Sequence, residues 1–215
     1  LCSLASFAYL NPEYMLPEIT EPGVEVNNQN LQGKQNGLFS GLALGHPLIP
    51  VEKKVTNDFA MDKLGEVVII TGSNMAGKST FLRTLGVNLC LAYAGGPVDA
   101  TDFYAHLFRL YTCIRVTDSV TDGYSYFYAE VKRLRGLLDA LDVPGQSPLF
   151  FLIDEIFKGT NNRERLIGSR SFVRALVGHN CVGAISTHDL ELVNLADTLS
   201  QVRNYHFRED VVDGK

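Results

Sequence analysis

From Gly65 onward, short apolar runs alternate with longer segments of helical spacing. Glu66-Val67-Val68-Ile69-Ile70-Thr71 is β-branched at its centre, which suits a strand buried on both faces. A glycine-rich turn follows, and Lys78 to Tyr93 predicts a helix that Gly95-Gly96-Pro97 ends. Leu107 to Val116 predicts further strand, followed by a polar loop from Thr117 to Gly123. Tyr126 to Leu141 has helical spacing, with Val131, Leu134, Leu138 and Leu141 on one side, and Pro144-Gly145 breaks it. Leu149–Ile153 and Cys181–Ser186 predict two more buried strands, separated by a helix over Glu164–Val177. Leu190–Ala196 predicts a last helix and Gln201–Phe207 a last strand. Strands alternating with helices give an α/β fold with a mostly parallel sheet covered on both faces.

Upstream the pattern is different. Leu1 to Leu10 reads as the last turns of a helix, which Asn11-Pro12 stops. Leu16 to Gly45 is rich in Pro, Gly, Asn and Gln, including Asn27-Asn28-Gln29-Asn30, and predicts a connecting segment with a few short strands. The boundary therefore falls near residue 20, with one α/β domain over 21–215.

Composition narrows the class. In 215 residues, 46% are hydrophobic and 20% charged, the balance of a globular domain with ample core material. No run of about 18 apolar residues appears, so no membrane span is expected. Leu1–Ala8 lacks a basic n-region and reads as the cut end of a longer chain rather than a signal peptide. The net charge of −5, without a Lys/Arg stripe, argues against a DNA-binding face on this piece, because phosphate neutralisation needs clustered basic residues. Cys2, Cys90, Cys113 and Cys181 have no zinc-ligand spacing and are expected as free thiols in a reducing cytoplasm.

Gly72-Ser73-Asn74-Met75-Ala76-Gly77-Lys78-Ser79 fits G-x-x-x-x-G-K-[ST], between a strand and a helix as that motif requires. Gly72 and Gly77 let the backbone bend so that successive N–H groups face phosphate oxygens, and the helix starting at Lys78 adds the positive end of its dipole. Lys78 supplies a point charge for the β- and γ-phosphates of ATP, and the Ser79 hydroxyl suits Mg²⁺. Leu149-Phe150-Phe151-Leu152-Ile153-Asp154-Glu155 is an apolar strand ending in two acids, the Walker B pattern. At a strand's C-terminal edge such a pair lies beside the phosphate loop, Asp154 toward the metal and Glu155 toward the attacking water. Thr187-His188-Asp189 closes the third apolar strand, where His188 could donate to a γ-phosphate.

The sequence around these motifs resembles the ATPase domain of the MutS DNA mismatch-repair family. Thr71 to Thr80, TGSNMAGKST, is similar to the family's T-G-P-N-M-x-G-K-S-T, with Asn74-Met75 the distinctive pair. Asp154 to Thr160 resembles D-E-[IL]-G-x-G-T, and Ser186-Thr187-His188 resembles [AS]-T-H. Gly123-Tyr124-Ser125-Tyr126-Phe127 falls where the family has G-x-S-T-F, ahead of an acidic helix represented by Glu130. Gly45-His46-Pro47 is similar to R-H-P, and Val55-Thr56-Asn57-Asp58 to [FV]-x-P-N-D. The resemblance implies a P-loop NTPase of the ABC-like type, binding ATP and Mg²⁺ and working as a homodimer with composite sites. It implies that Gly72 to Thr80 cradle the nucleotide, with Asn74 on the γ-phosphate in cis and Val55 and Asn57 bordering adenine. Ser125 would reach the γ-phosphate of the other subunit. Residues 1–20 would end a helical core and lever domain, and DNA would be met by domains outside this chain. The family's C-terminal dimerisation region would lie beyond Lys215.

The chain also departs from the family pattern. Ser73 replaces a proline, Tyr126 a threonine, and Phe157-Lys158 a Gly-Arg-type pair, while Asn161 to Arg165 replaces the usual continuation. The bulky residue that packs on adenine is displaced. These differences imply a diverged branch. Two other readings stay open: a nucleotide-binding subunit of a transporter or chromosome-structuring ATPase, and a non-hydrolytic ATP sensor. Asp122 to Tyr126 lacks the L-S-G-G-Q signature of the first, and intact Lys78, Asp154 and Glu155 count against the second.

Overall fold

The computed structural model describes residues 2–21, 37–114, 126–141, 143–157 and 160–208. The expected polar loop Thr117–Gly123, together with Ser125 and Lys158-Gly159, lies outside them. By its contacts the chain divides into two compact units, Leu1–Lys63 with Arg83–Arg109, and Leu64–Leu82 with Leu110–Lys215.

The first unit holds helix α1 (Cys2–Leu10) and a four-stranded sheet ordered β1 (Glu18–Thr20), β5 (Asp102–His106), β2 (Phe39–Leu44), β3 (Asn57–Met61). β1 runs parallel to β5, and β2 runs antiparallel to both β3 and β5. Its core is aromatic: the Phe39 ring meets Phe59 and Phe103 edge-on, at 5.9 and 5.3 Å between centroids. Beside it, Lys54 Nζ donates to Asp99 Oδ2 at 2.5 Å and to the Tyr14 hydroxyl at 3.1 Å. Burial alone would lower the Lys54 pKa, but those two hydrogen bonds and the charges of Asp99 and Tyr14 together raise the pKa above the usual lysine value.

The second unit carries a five-stranded sheet, ordered β6 (Arg109–Cys113), β7 (Leu149–Asp154), β8 (Cys181–Ser186), β4 (Val67–Gly72), β9 (Val202–Phe207). β7, β8, β4 and β9 pair in parallel. Helices α3 (Tyr126–Asp139) and α4 (Asn162–Leu176) flank it, as the mixed α/β expectation requires, and the first turn of α2 (Lys78–Tyr93) begins in this unit. Val67 to Ile70 and Leu149 to Ile153 are completely or almost completely buried, which is why these strands read as continuous apolar runs rather than alternating ones. One face packs against Leu134, Leu137 and Leu141 of the α3 segment and Phe172, Val173 and Leu176 of α4. Asn161 caps α4 by accepting the Glu164 N–H at 3.0 Å, while Thr160 Oγ1 donates to the Glu164 carboxylate at 2.7 Å.

Three expectations change. Among the described residues of the stretch Leu107–Val116, β6 covers Arg109–Cys113, and β5 precedes it as a separate strand in the other sheet. β5 alternates buried Phe103 and Ala105 with partly exposed neighbours, a half-buried period-two pattern too short to stand out. The α3 face is rotated: Leu137 is fully buried, whereas Val131 is exposed. Leu190–Leu195 is a 3₁₀ helix rather than an α-helix. Among the described residues, no helix is long and apolar enough to cross a membrane.

Gly183, in the middle of β8, sits opposite Phe151 of β7 and Val67 of β4. A Cβ there would fall 2.1 Å from the Phe151 carbonyl oxygen and 2.6 Å from its ring. Gly183→Ala should therefore destabilise the protein by about 1–3 kcal/mol or more, read from equilibrium urea unfolding. An unchanged midpoint would mean that the two strands are not so closely apposed.

Candidate functional site

Three apolar strands of the second unit end together. Because β4, β8 and β7 run parallel and in register, with Ile70 and Asp154 both opposite Ser186, their C-terminal ends lie on one edge of the sheet. Each then changes abruptly from apolar to polar: β4 into the loop 73–77, β7 into Asp154-Glu155, β8 into Thr187-His188. That edge is where open α/β sheets bind ligands.

The loop from β4 to α2 needs glycine at two places. Gly72 has φ +142°, and a Cβ on it would lie 2.5 Å from the Phe207 carbonyl oxygen. Gly77 has φ +90° with open space around it, so there the backbone conformation alone requires glycine. Ser73, Asn74 and Met75 stand exposed at the tip, Met75 at 89%, while Ala76 and Thr80 are partly exposed. Lys78 is buried, and its ammonium donates to the carbonyls of Gly72 at 2.8 Å and Ser73 at 2.7 Å. The positive charge is thus fixed against the loop, at the first turn of a 16-residue helix.

Asp154 is the meeting point of three elements. Its Oδ1 accepts the Ser79 hydroxyl of α2 at 2.8 Å and the Ser186 hydroxyl of β8 at 2.7 Å. Charge-assisted bonds of this kind hold both hydroxyls in place. A hydroxyl and a carboxylate side by side form an all-oxygen donor pair of the kind that suits a hard cation keeping most of its water. Among the described residues no group of three or more His, Cys, Asp or Glu side chains is placed to hold a metal ion.

Glu155 follows in a left-handed conformation, φ +57°, with its N–H directed at the Ser186 carbonyl (3.1 Å) and hydroxyl (3.2 Å). Its carboxylate Oε1 lies 2.7 Å from His188 Nε2, and both side chains are partly exposed. The His188 turn is anchored on each side. The Thr187 N–H donates to the Ile70 carbonyl at 2.9 Å, and the Asp189 N–H donates to the Thr187 hydroxyl at 3.0 Å. Asp189 in turn accepts from Arg165 Nε of α4 at 3.1 Å.

Phe157 also has φ +57°. Two non-glycine residues held left-handed, each at a cost of about 1–3 kcal/mol, mark this exit from β7 as a segment the surroundings enforce.

The profile of MutS domain V matches residues 68–214. This chain belongs to the MutS family. It is also 29% identical, over 96% of its length, to the DNA mismatch repair protein MutS of Natronomonas pharaonis. The chain spans 22% of that relative's length. Gly72 to Thr80, Asp154, Glu155 and His188 all fall inside the stretch that carries the MutS match, and the structure brings the glycine-rich loop, both acids and the histidine to one edge. Val55 and Asn57 fall before it, in the first unit, where Val55 is exposed and Asn57 opens β3 opposite Leu44. Ser125 lies outside the described residues.

Two residues escape the sequence reading as participants. Ser186 was legible only as the first member of Ser-Thr-His, and its bond to Asp154 depends on the β7–β8 register. Glu130 had a clearer signal. It falls four and seven residues before Leu134 and Leu137, an acid on the apolar stripe of α3, and it is buried. Removing the Ser186 hydroxyl leaves Asp154 with one donor fewer. Ser186→Ala should therefore cost roughly 1.5–3 kcal/mol in urea unfolding. Stability equal to the parent would show the bond to be idle.

Proposed function

We propose that this chain is the ATP-binding and hydrolysing domain of a MutS-like DNA mismatch-repair protein, a P-loop NTPase of the ABC-like type. The observation that carries the proposal is the convergence on one sheet edge of the Lys78 loop, the Ser79–Asp154 pair and the Glu155–His188 pair. An anion cradle, a cation donor set and a carboxylate within reach of an imidazole are the parts phosphoryl transfer to water needs.

In this reading the backbone N–H groups of the loop and the start of α2 bind the β- and γ-phosphates, and Lys78 adds a full charge. Asn74 contributes a side-chain amide at the exposed loop tip. Ser79 and Asp154 are the residues that would hold Mg²⁺, whose chemistry is to neutralise charge building on the phosphate oxygens. Glu155 orients a water and takes its proton, and His188 steadies that carboxylate and reaches toward the γ-phosphate. Val55 and Asn57 border the adenine. Domain boundaries follow the same reading, with residues 1–20 ending a helical lever.

For the whole protein, the proposal is a homodimer whose sites are completed by Ser125 of the opposite subunit. ATP-dependent closure of that dimer sets the state of a clamp on DNA, and the DNA is held by domains outside this chain.

In the full-length protein, Glu155→Gln keeps size and hydrogen bonding but removes basicity. ATP should still bind while hydrolysis falls about 10²–10⁴-fold, the usual weight of a general base. Hydrolysis at the parental rate would remove Glu155 from that role. The composite site has its own test. Ser125→Ala and Lys78→Ala subunits should each be inactive alone. A mixed dimer contains one site with both residues intact, so mixing should restore part of the activity, and no recovery on mixing would sink the dimeric mechanism.

A further inference from the structure

Glu130 is a buried carboxylate, 1% exposed, on the helix face that otherwise presents Leu134 and Leu137 to the core. Burying an acid on an apolar face is costly unless it is hydrogen-bonded. Its Oε1 accepts the backbone N–H of Phe157 at 2.6 Å. The same helix supplies a second contact to the same residue, because the Phe127 ring lies 6.4 Å from the Phe157 ring. On its other side Phe157 meets Phe172 of α4 edge-on, also at 6.4 Å. A phenylalanine with φ +57° is thus held at its amide by Glu130 and at its ring by α3 and α4.

Glu155, which also has φ +57°, stands two residues before Phe157. Between them lies only Ile156, itself buried. A return of Phe157 to ordinary negative φ would swing the chain leaving β7 and change where the Glu155 carboxylate points. We infer that Glu130 is a positioning residue: its carboxylate, gripping the Phe157 amide, holds the left-handed exit of β7 and thereby keeps Glu155 aimed. The inference rests on the reading of Glu155 as the base for ATP hydrolysis. It adds that α3, the helix immediately after Ser125, sets that base through residue 157.

The test uses the full-length protein and three substitutions. Glu130→Met keeps the buried volume and removes the acceptor, so kcat should fall about 10- to 100-fold, the usual effect of displacing a reacting group by an ångström, with KM for ATP unchanged within about 3-fold. Adding Phe157→Gly should recover much of the lost kcat, because glycine takes positive φ without the grip. A residue that matters only for packing would show the reverse, since removing a second buried side chain compounds the damage. Glu130→Gln, which preserves shape and replaces the carboxyl acceptor by an amide, should lower kcat about 3-fold and speed hydrogen exchange at the Phe157 amide. It decides the matter should Glu130→Met not fold. Parental kcat in Glu130→Met, failure of Phe157→Gly to restore it, or parental kcat and exchange in Glu130→Gln would each overturn the inference alone. If instead Glu155→Gln hydrolyses ATP like the parent, the reading of the base fails and takes this inference with it.

Discussion

The parallel pairing of β4, β8 and β7 is the constraint on which the site depends. Parallel strands share a direction, so three apolar runs placed side by side must release their polar ends on one edge. Register then does the finer work. With Ile70 and Asp154 both opposite Ser186, the Asp154 carboxylate comes within reach of hydroxyls from β8 and from the first turn of α2. One carboxylate oxygen ties the loop before α2, the acidic strand end and the strand leading to His188 into one arrangement. A slip by one residue would turn Asp154 to the other face and separate all three.

Around that edge the backbone is held away from its relaxed conformations. Gly72 and Gly77 accept this without penalty, but Glu155 and Phe157 do not, and each is restrained by several neighbours. Glu155 has Ser186 at its amide and His188 at its carboxylate, while Phe157 has Glu130 and two aromatic rings. Strain that persists in this way concentrates where a side chain must point in one direction. The neighbouring Arg165–Asp189 pair fits the same pattern, since it ties the start of α4 to the turn after His188.

Membership of the MutS family gives the departures a physical reading. At position 157 this chain has phenylalanine, and its left-handed backbone is held by the Phe127 and Phe172 rings and by the buried Glu130 acceptor. The replacement of the usual stretch after Thr160 by Asn161 to Arg165 still begins a helix, because Asn161 caps it through the Glu164 amide.

The sequence by itself determined the local and the periodic. The buried parallel strands were legible because burial on both faces makes a run continuously apolar, and α2 because glycines and a proline mark its end. The glycine-rich loop, Asp154-Glu155 and His188 were legible as candidates because each sits where an apolar run turns polar. What only the tertiary structure decided is pairing across distance. β5 was hidden because half-buried alternation over five residues carries little signal. The α3 face was misread at Val131 and Leu137, which look alike until a neighbour buries one of them, while Leu134 and Leu141 fell on the buried side as expected. The bonds of Ser186 to Asp154 and of Glu130 to Phe157 join residues 32 and 27 positions apart. No periodicity records such contacts, because they exist only when separate strands and helices settle into one register.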